Sequence, residues 1–76
     1  FFSKAFDELR KVKNEYPNYL AARVALGILH FGNDDIIEAQ EEWRKVLTID
    51  PAHSDAKMYL NLAQSAASET RLTIQN

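Results

Sequence analysis

Slid 34 residues along itself, the chain meets eight of its own residues again, six of them within one 13-residue stretch. Ala5, Glu8, Arg10, Lys11, Val12 and Pro17 return as Ala39, Glu42, Arg44, Lys45, Val46 and Pro51, and Ala22 and Leu26 return as Ala56 and Leu60. Chance pairing over the 42 overlapping positions gives roughly two or three matches at average residue frequencies. A fixed period of this length marks stacked copies of one supersecondary unit, each too small to bury its apolar face alone. The period favours an extended stack of helical units, and with it binding ahead of catalysis.

The bulk numbers narrow the partner. The 76 residues are enough for one small domain and a modest core, and 46% hydrophobic content argues against disorder. A net charge of −2 disfavours nucleic acid, which needs a basic stripe over the phosphates. There is no cysteine, so disulfides are excluded and the redox compartment is unreadable. The longest apolar stretch, Val24–Leu29 with Gly27 inside it, is too short for membrane insertion. The chain carries no signal peptide and begins at Phe1, inside what reads as a helix. It is expected to be a fragment of a longer protein, lacking its targeting information. The compartment is not readable; a cytoplasmic setting is the default expectation.

Periodicity predicts four helices and no strand. The first covers about residues 2–15, with an apolar stripe of Phe2, Ala5, Phe6, Leu9 and Val12, an Asp7–Lys11 pair outside, and Pro17 closing it. The second covers about residues 19–31 with Asn18 as N-cap. It is apolar almost all round, so it should be covered on more than one side, and Gly32-Asn33 should supply the left-handed stop. The third opens with an Asp35–Glu38 capping box. It buries Ile36, Ala39, Trp43, Val46 and Leu47, pairs Glu41 with Lys45, and ends at Pro51. The fourth starts near Ser54 as N-cap and carries Ala56, Tyr59, Leu60, Ala63 and Ala67, with the tail either overrunning toward Leu72 or fraying.

The middle unit, Leu20 to His53, holds Leu26-Gly27, Ala39, Trp43, Val46 and Pro51, and in this it resembles the tetratricopeptide repeat. Gly27 and Ala39 are small where paired helices cross closely, Leu26 and Trp43 fill the space beside the crossing, Val46 meets the next helix, and Pro51 sets the turn. Ala5, Leu9, Val12 and Pro17 match the second half of a preceding repeat; Ala56 and Leu60 match the first half of a following one. The resemblance implies an all-α fold of antiparallel helix-turn-helix repeats in a short right-handed superhelical array. Its parts are residues 1–17 as a second helix, 18–53 as one full repeat, and 54–76 as a first helix plus tail. Three kinds of departure from the family pattern are visible, at four residues. Arg23 and Lys57 stand where a large apolar residue is common, Asn61 stands where Gly27 has its counterpart, and Asp34 stands where a turn glycine is usual.

The resemblance also implies a concave groove lined by the first helix of each repeat: Ala21, Val24, Ile28 and Phe31, then Asp55, Met58, Leu62 and Ser65. Members that bind chaperones grip an acidic C-terminus with Lys, Arg and Asn. The corresponding places here hold Val24, Ala25, Ile28, Asp55 and Tyr59, so that clamp is absent and an apolar peptide or amphipathic helix fits better. The competing explanation is that other parts of a parent protein cover these residues.

The remaining candidates read as structural. His30 and His53 lie 23 residues apart without cysteine, so they are taken as a packing histidine and a loop histidine, with no metal and no cofactor expected. Glu41 and Glu42 point about 100° apart on a helix and cannot share a substrate. No nucleophile with a base and no phosphate loop is present, so the protein is not expected to be an enzyme. Trp43 sits on the buried stripe, whereas Phe1, Phe2 and Phe6 form an apolar end. The expected function is a protein-protein interaction scaffold that binds a partner's peptide or helix. A structural module that homodimerises through the same apolar surface is the alternative.

Overall fold

In a computed structural model of the chain, the backbone of residues 3–75 and the side chains of residues 3–66 are described. The fold is all-α: α1 (Ser3–Glu15), α2 (Leu20–Gly32), α3 (Ile36–Ile49) and α4 (Ser54–Gln75), with no strand among the described residues. The expected contributions of Phe1, Phe2, Ala67 and Leu72 side chains lie outside them.

Contacts set the arrangement. Arg23 meets Glu42, Val24 meets Trp43 and His30 meets Asp35, so residue numbers rise on α2 as they fall on α3 and the two helices run antiparallel. Phe6 against His30 and Pro17 against Arg23 do the same for α1 and α2. Each helix packs on the next along the chain, and α2 also packs on α4. The Cα extents are 45 × 32 × 13 Å. The shortest is the thickness of two helix layers at the usual spacing of about 8–10 Å. Lys13 of α1 reaches Glu42 of α3.

The core is built around one close approach. A Cβ placed on Gly27 would lie 2.8 Å from Trp43 Cδ1 and nearer still to Nε1 and Cε2, so only glycine admits the indole against α2. The ring is 1% exposed, and its N–H donates to the Val24 carbonyl at 3.2 Å, which satisfies the one polar atom the burial would strand. Ala39, Val46, Ala56 and Ala63 are fully buried in one cluster with it, and Leu26 is fully buried outside that cluster. Ile36 and Leu47, expected in the buried stripe, are half-buried, and Gln40 is buried in its place.

Several local expectations need correction. Tyr19, not Asn18, is the N-cap of α2, and no side chain caps it. Asp35 is the N-cap of α3, but its carboxylate makes no capping bond; it accepts from Asn33 Nδ2 at 3.0 Å instead, so the capping box does not form. α4 is capped by His53, whose Nδ1 accepts the Ala56 N–H at 3.1 Å, and Ser54 is already the first helical residue. The left-handed residue after α2 is Asp34, at φ 66°; neither Gly32 nor Asn33 has a positive φ. Asp7 pairs with Arg10 at 3.7 Å rather than with Lys11, and Glu41 and Lys45 form no ion pair. Glu42 takes two cations, Lys13 at 2.8 Å and Arg23 at 3.3 Å. The α4 backbone runs on to Gln75, so the overrun past Leu72 is the outcome.

Candidate functional site

An apolar depression lies between α2 and α4. One cavity of about 330 Å³ is lined by Ala21, Val24, Ala25, Ile28, His53, Asp55 and Tyr59. A second, of about 110 Å³, is lined by Ile28, Phe31, Trp43, Tyr59 and Leu62. Ile28 and Tyr59 belong to both, so the two form one continuous furrow.

Its floor is aromatic. Trp43 and Tyr59 stack with centroids 5.3 Å apart and planes 19° from parallel, and Phe31 leans on Trp43 at 6.0 Å. The deep face of Trp43 is fixed by Gly27, so the floor is held by the same contact that builds the core. On the rim, Ile28 and Leu62 are 43% and 54% exposed, well above what an unoccupied core position shows. The polar groups gather at one end. Asp55 sits exposed in the first turn of α4, while the His53 ring is engaged in the cap of that helix.

Of the residues the sequence pointed to, Ala21, Val24, Ile28 and Asp55 line the larger cavity, and Phe31 and Leu62 join Ile28 in the smaller. Met58 is 48% exposed and lines neither; Ser65 is exposed and likewise outside both. Trp43 and His53 line the furrow although both were read as purely structural. The stacking of Trp43 on Tyr59 could have been anticipated only by asking which side of the indole the next helix covers.

A second grouping went unforeseen. His30 was weighed only against the distant His53, yet the turn sets its ring beside Asp35 and Glu38, with one potential ligand atom from each lying within 4.8 Å of the others. The signal was available as a histidine and a carboxylate five residues apart across a helix stop. No helix among the described residues is long and apolar enough to cross a membrane. Comparison with protein-family models, with curated proteins and with solved structures finds no match to this chain.

Proposed function

We propose that the protein is a non-catalytic scaffold of stacked helical hairpins of the tetratricopeptide type, and that its α2–α4 furrow receives an apolar peptide or amphipathic helix from a protein partner. One observation carries this reading: residues 34 apart, Ala21 with Asp55 and Ile28 with Leu62, line the same cavities. This supports helices related by the sequence period lying side by side, as stacking of one unit on the next requires. The lining supports contact rather than chemistry. Apart from the Asp55 carboxylate and the Tyr59 hydroxyl it offers methyl groups and ring faces, and its one imidazole already accepts a backbone N–H. A partner helix would place apolar residues at three- and four-residue steps along Ile28 and Leu62, with a basic residue toward Asp55. Because the aromatic floor is already held in place, docking orders few side chains.

The test is selection of helical peptides from a display library on the wild-type protein, with Ile28→Asp as the counter-target. Binders with apolar spacing of that kind, lost on Ile28→Asp while helicity by circular dichroism persists, support the reading. Absence of any enrichment over the counter-target sinks it. Self-association through the same face is the rival outcome. Light scattering over a concentration series would show it as a tight dimer that Ile28→Asp dissociates.

A further inference from the structure

We propose that His30, Asp35 and Glu38 form a binding site for a zinc-like divalent transition-metal ion at the corner between α2 and α3. The backbone creates the site. α2 stops in a Schellman turn: the Asp35 N–H donates to the His30 carbonyl at 2.8 Å, the Asp34 N–H donates to that of Phe31 at 3.1 Å, and Asp34 takes the left-handed conformation. That turn brings the side chains at its two ends into contact, a place usually filled by two apolar residues. Here the ends are an imidazole and a carboxylate. The next helix starts at once, so Glu38 in its first turn faces the same corner.

The independent observation is His30 Nδ1. It is buried and, alone among the buried side-chain nitrogens and oxygens described, has no hydrogen-bond partner. A stranded polar atom costs free energy unless something satisfies it. The ring is held by Phe6, with centroids 4.8 Å apart, so Nδ1 points toward Asp35 Oδ2 at 3.6 Å. With metal–nitrogen and metal–oxygen bonds of about 2.1 Å, two ligand atoms at a tetrahedral angle stand roughly 3.4 Å apart. The gap is thus too long for a hydrogen bond and suited to an ion between the two atoms. Glu38 is exposed, so rotating its side chain closes the remaining span. Asn33 Nδ2 donates to Asp35 Oδ2 at 3.0 Å and orients that carboxylate, as partners of metal ligands commonly do.

The donor set selects the ion. One imidazole nitrogen with two carboxylate oxygens favours zinc, cobalt or nickel over magnesium or calcium, which prefer oxygen alone. Asp34, Asp35 and Glu38 place three acidic side chains within five residues at this corner with no basic one among them, so the local field favours a cation. With water completing the shell, the ion would tie the end of α2 to the start of α3.

Zinc chloride titrated calorimetrically into the full chain, in a buffer that does not coordinate metal, is expected to bind at one ion per chain. Zinc should also raise the melting temperature, and a chelator should reverse the rise. His30→Phe keeps the ring contact with Phe6 and should abolish binding. Asp35→Asn and Glu38→Gln leave the core untouched and should each weaken binding by at least about tenfold. Glu41→Gln, at an exposed carboxylate outside the site, should bind as the wild type does. No stoichiometric binding by the wild type, unchanged affinity in either carboxamide variant, or loss of binding on Glu41→Gln would each overturn the site.

Discussion

α1 and α3 hold repeat-related residues in unequal surroundings. Ala5, Leu9 and Val12 of α1 are half-buried, whereas their counterparts 34 residues on, Ala39, Trp43 and Val46, are all but inaccessible. The side chains themselves are alike at two of the three positions. The difference lies in the neighbours: among the described residues α3 packs on both α2 and α4, while α1 packs on α2 alone. A repeat position thus specifies what kind of residue stands there, and the stack decides how much that residue contributes.

The widest separation should appear at Leu9 and Trp43. Trp43→Ala removes a buried ring, its stack on Tyr59 and its hydrogen bond to Val24, and is expected to cost about 3–5 kcal/mol. A domain of this size has little more than that in hand, so the variant should be largely unfolded by circular dichroism at room temperature. Leu9→Ala, at a half-buried site, should cost about 1–2 kcal/mol in urea titration. Equal losses would break the comparison.

Gly27 and Asn61 sharpen it by one atom. Gly27→Ala drives a Cβ into an indole that cannot retreat, and the overpacking outweighs the gain in helix propensity; a net loss of about 1–3 kcal/mol is expected. Asn61 is exposed, so Asn61→Ala should be neutral or stabilising by a few tenths of a kcal/mol. Thermal melts of the two variants, moving in opposite directions, check the pair.

What the sequence disclosed and what it withheld divide along physical lines. Helices defined by many apolar residues at regular steps were legible to within a residue or two, as were the stops at Pro17 and Pro51. The close crossing was legible only in part: the small residues Gly27 and Ala39 marked it, with Trp43 expected beside it, whereas the indole itself lies against Gly27. Ile28, Phe31 and Leu62, which the family resemblance placed on one groove face, line one cavity. Caps were not legible: each is decided by one hydrogen bond. Asn18, Ser54 and Asp35 are good capping types, yet Tyr19 and His53 hold two of the cap positions and Asp35 turns its carboxylate to Asn33. Long-range charge pairing was equally hidden. Neighbours one helical turn apart suggested Glu41 with Lys45, while the partners of Glu42 lie 29 and 19 residues away.

Those partners give the next contrast. The Glu42 carboxylate is 12% exposed and joins α1, α2 and α3 through Lys13 and Arg23. The Asp7–Arg10 pair sits in the open at 3.7 Å. Glu42→Gln leaves two shielded cations without their anion and should cost about 1–2 kcal/mol, falling toward zero in 1 M salt. Asp7→Asn should stay within about 0.5 kcal/mol. If Glu42→Gln proved silent at low salt, α1 would be held by its apolar contacts alone.

The smallest effects belong to the turn after α2, where two residue types stand in each other's usual places. Gly32 lies in the last helical turn without a positive φ, and Asp34 occupies the left-handed position at φ 66°. A left-handed conformation costs an ordinary side chain about 1 kcal/mol, less for Asp, and glycine nothing. Asp34→Gly is therefore expected to stabilise by about 0.5 kcal/mol, part of the relief being cancelled by the greater freedom of the unfolded chain. Gly32→Ala, at an exposed helical residue, should stabilise by about 0.5–1 kcal/mol for the converse reason. The two changes touch neither core nor furrow, so their gains should add in urea titrations of the double variant. A loss on Asp34→Gly would mean that its carboxylate contributes more at this corner than its backbone conformation costs.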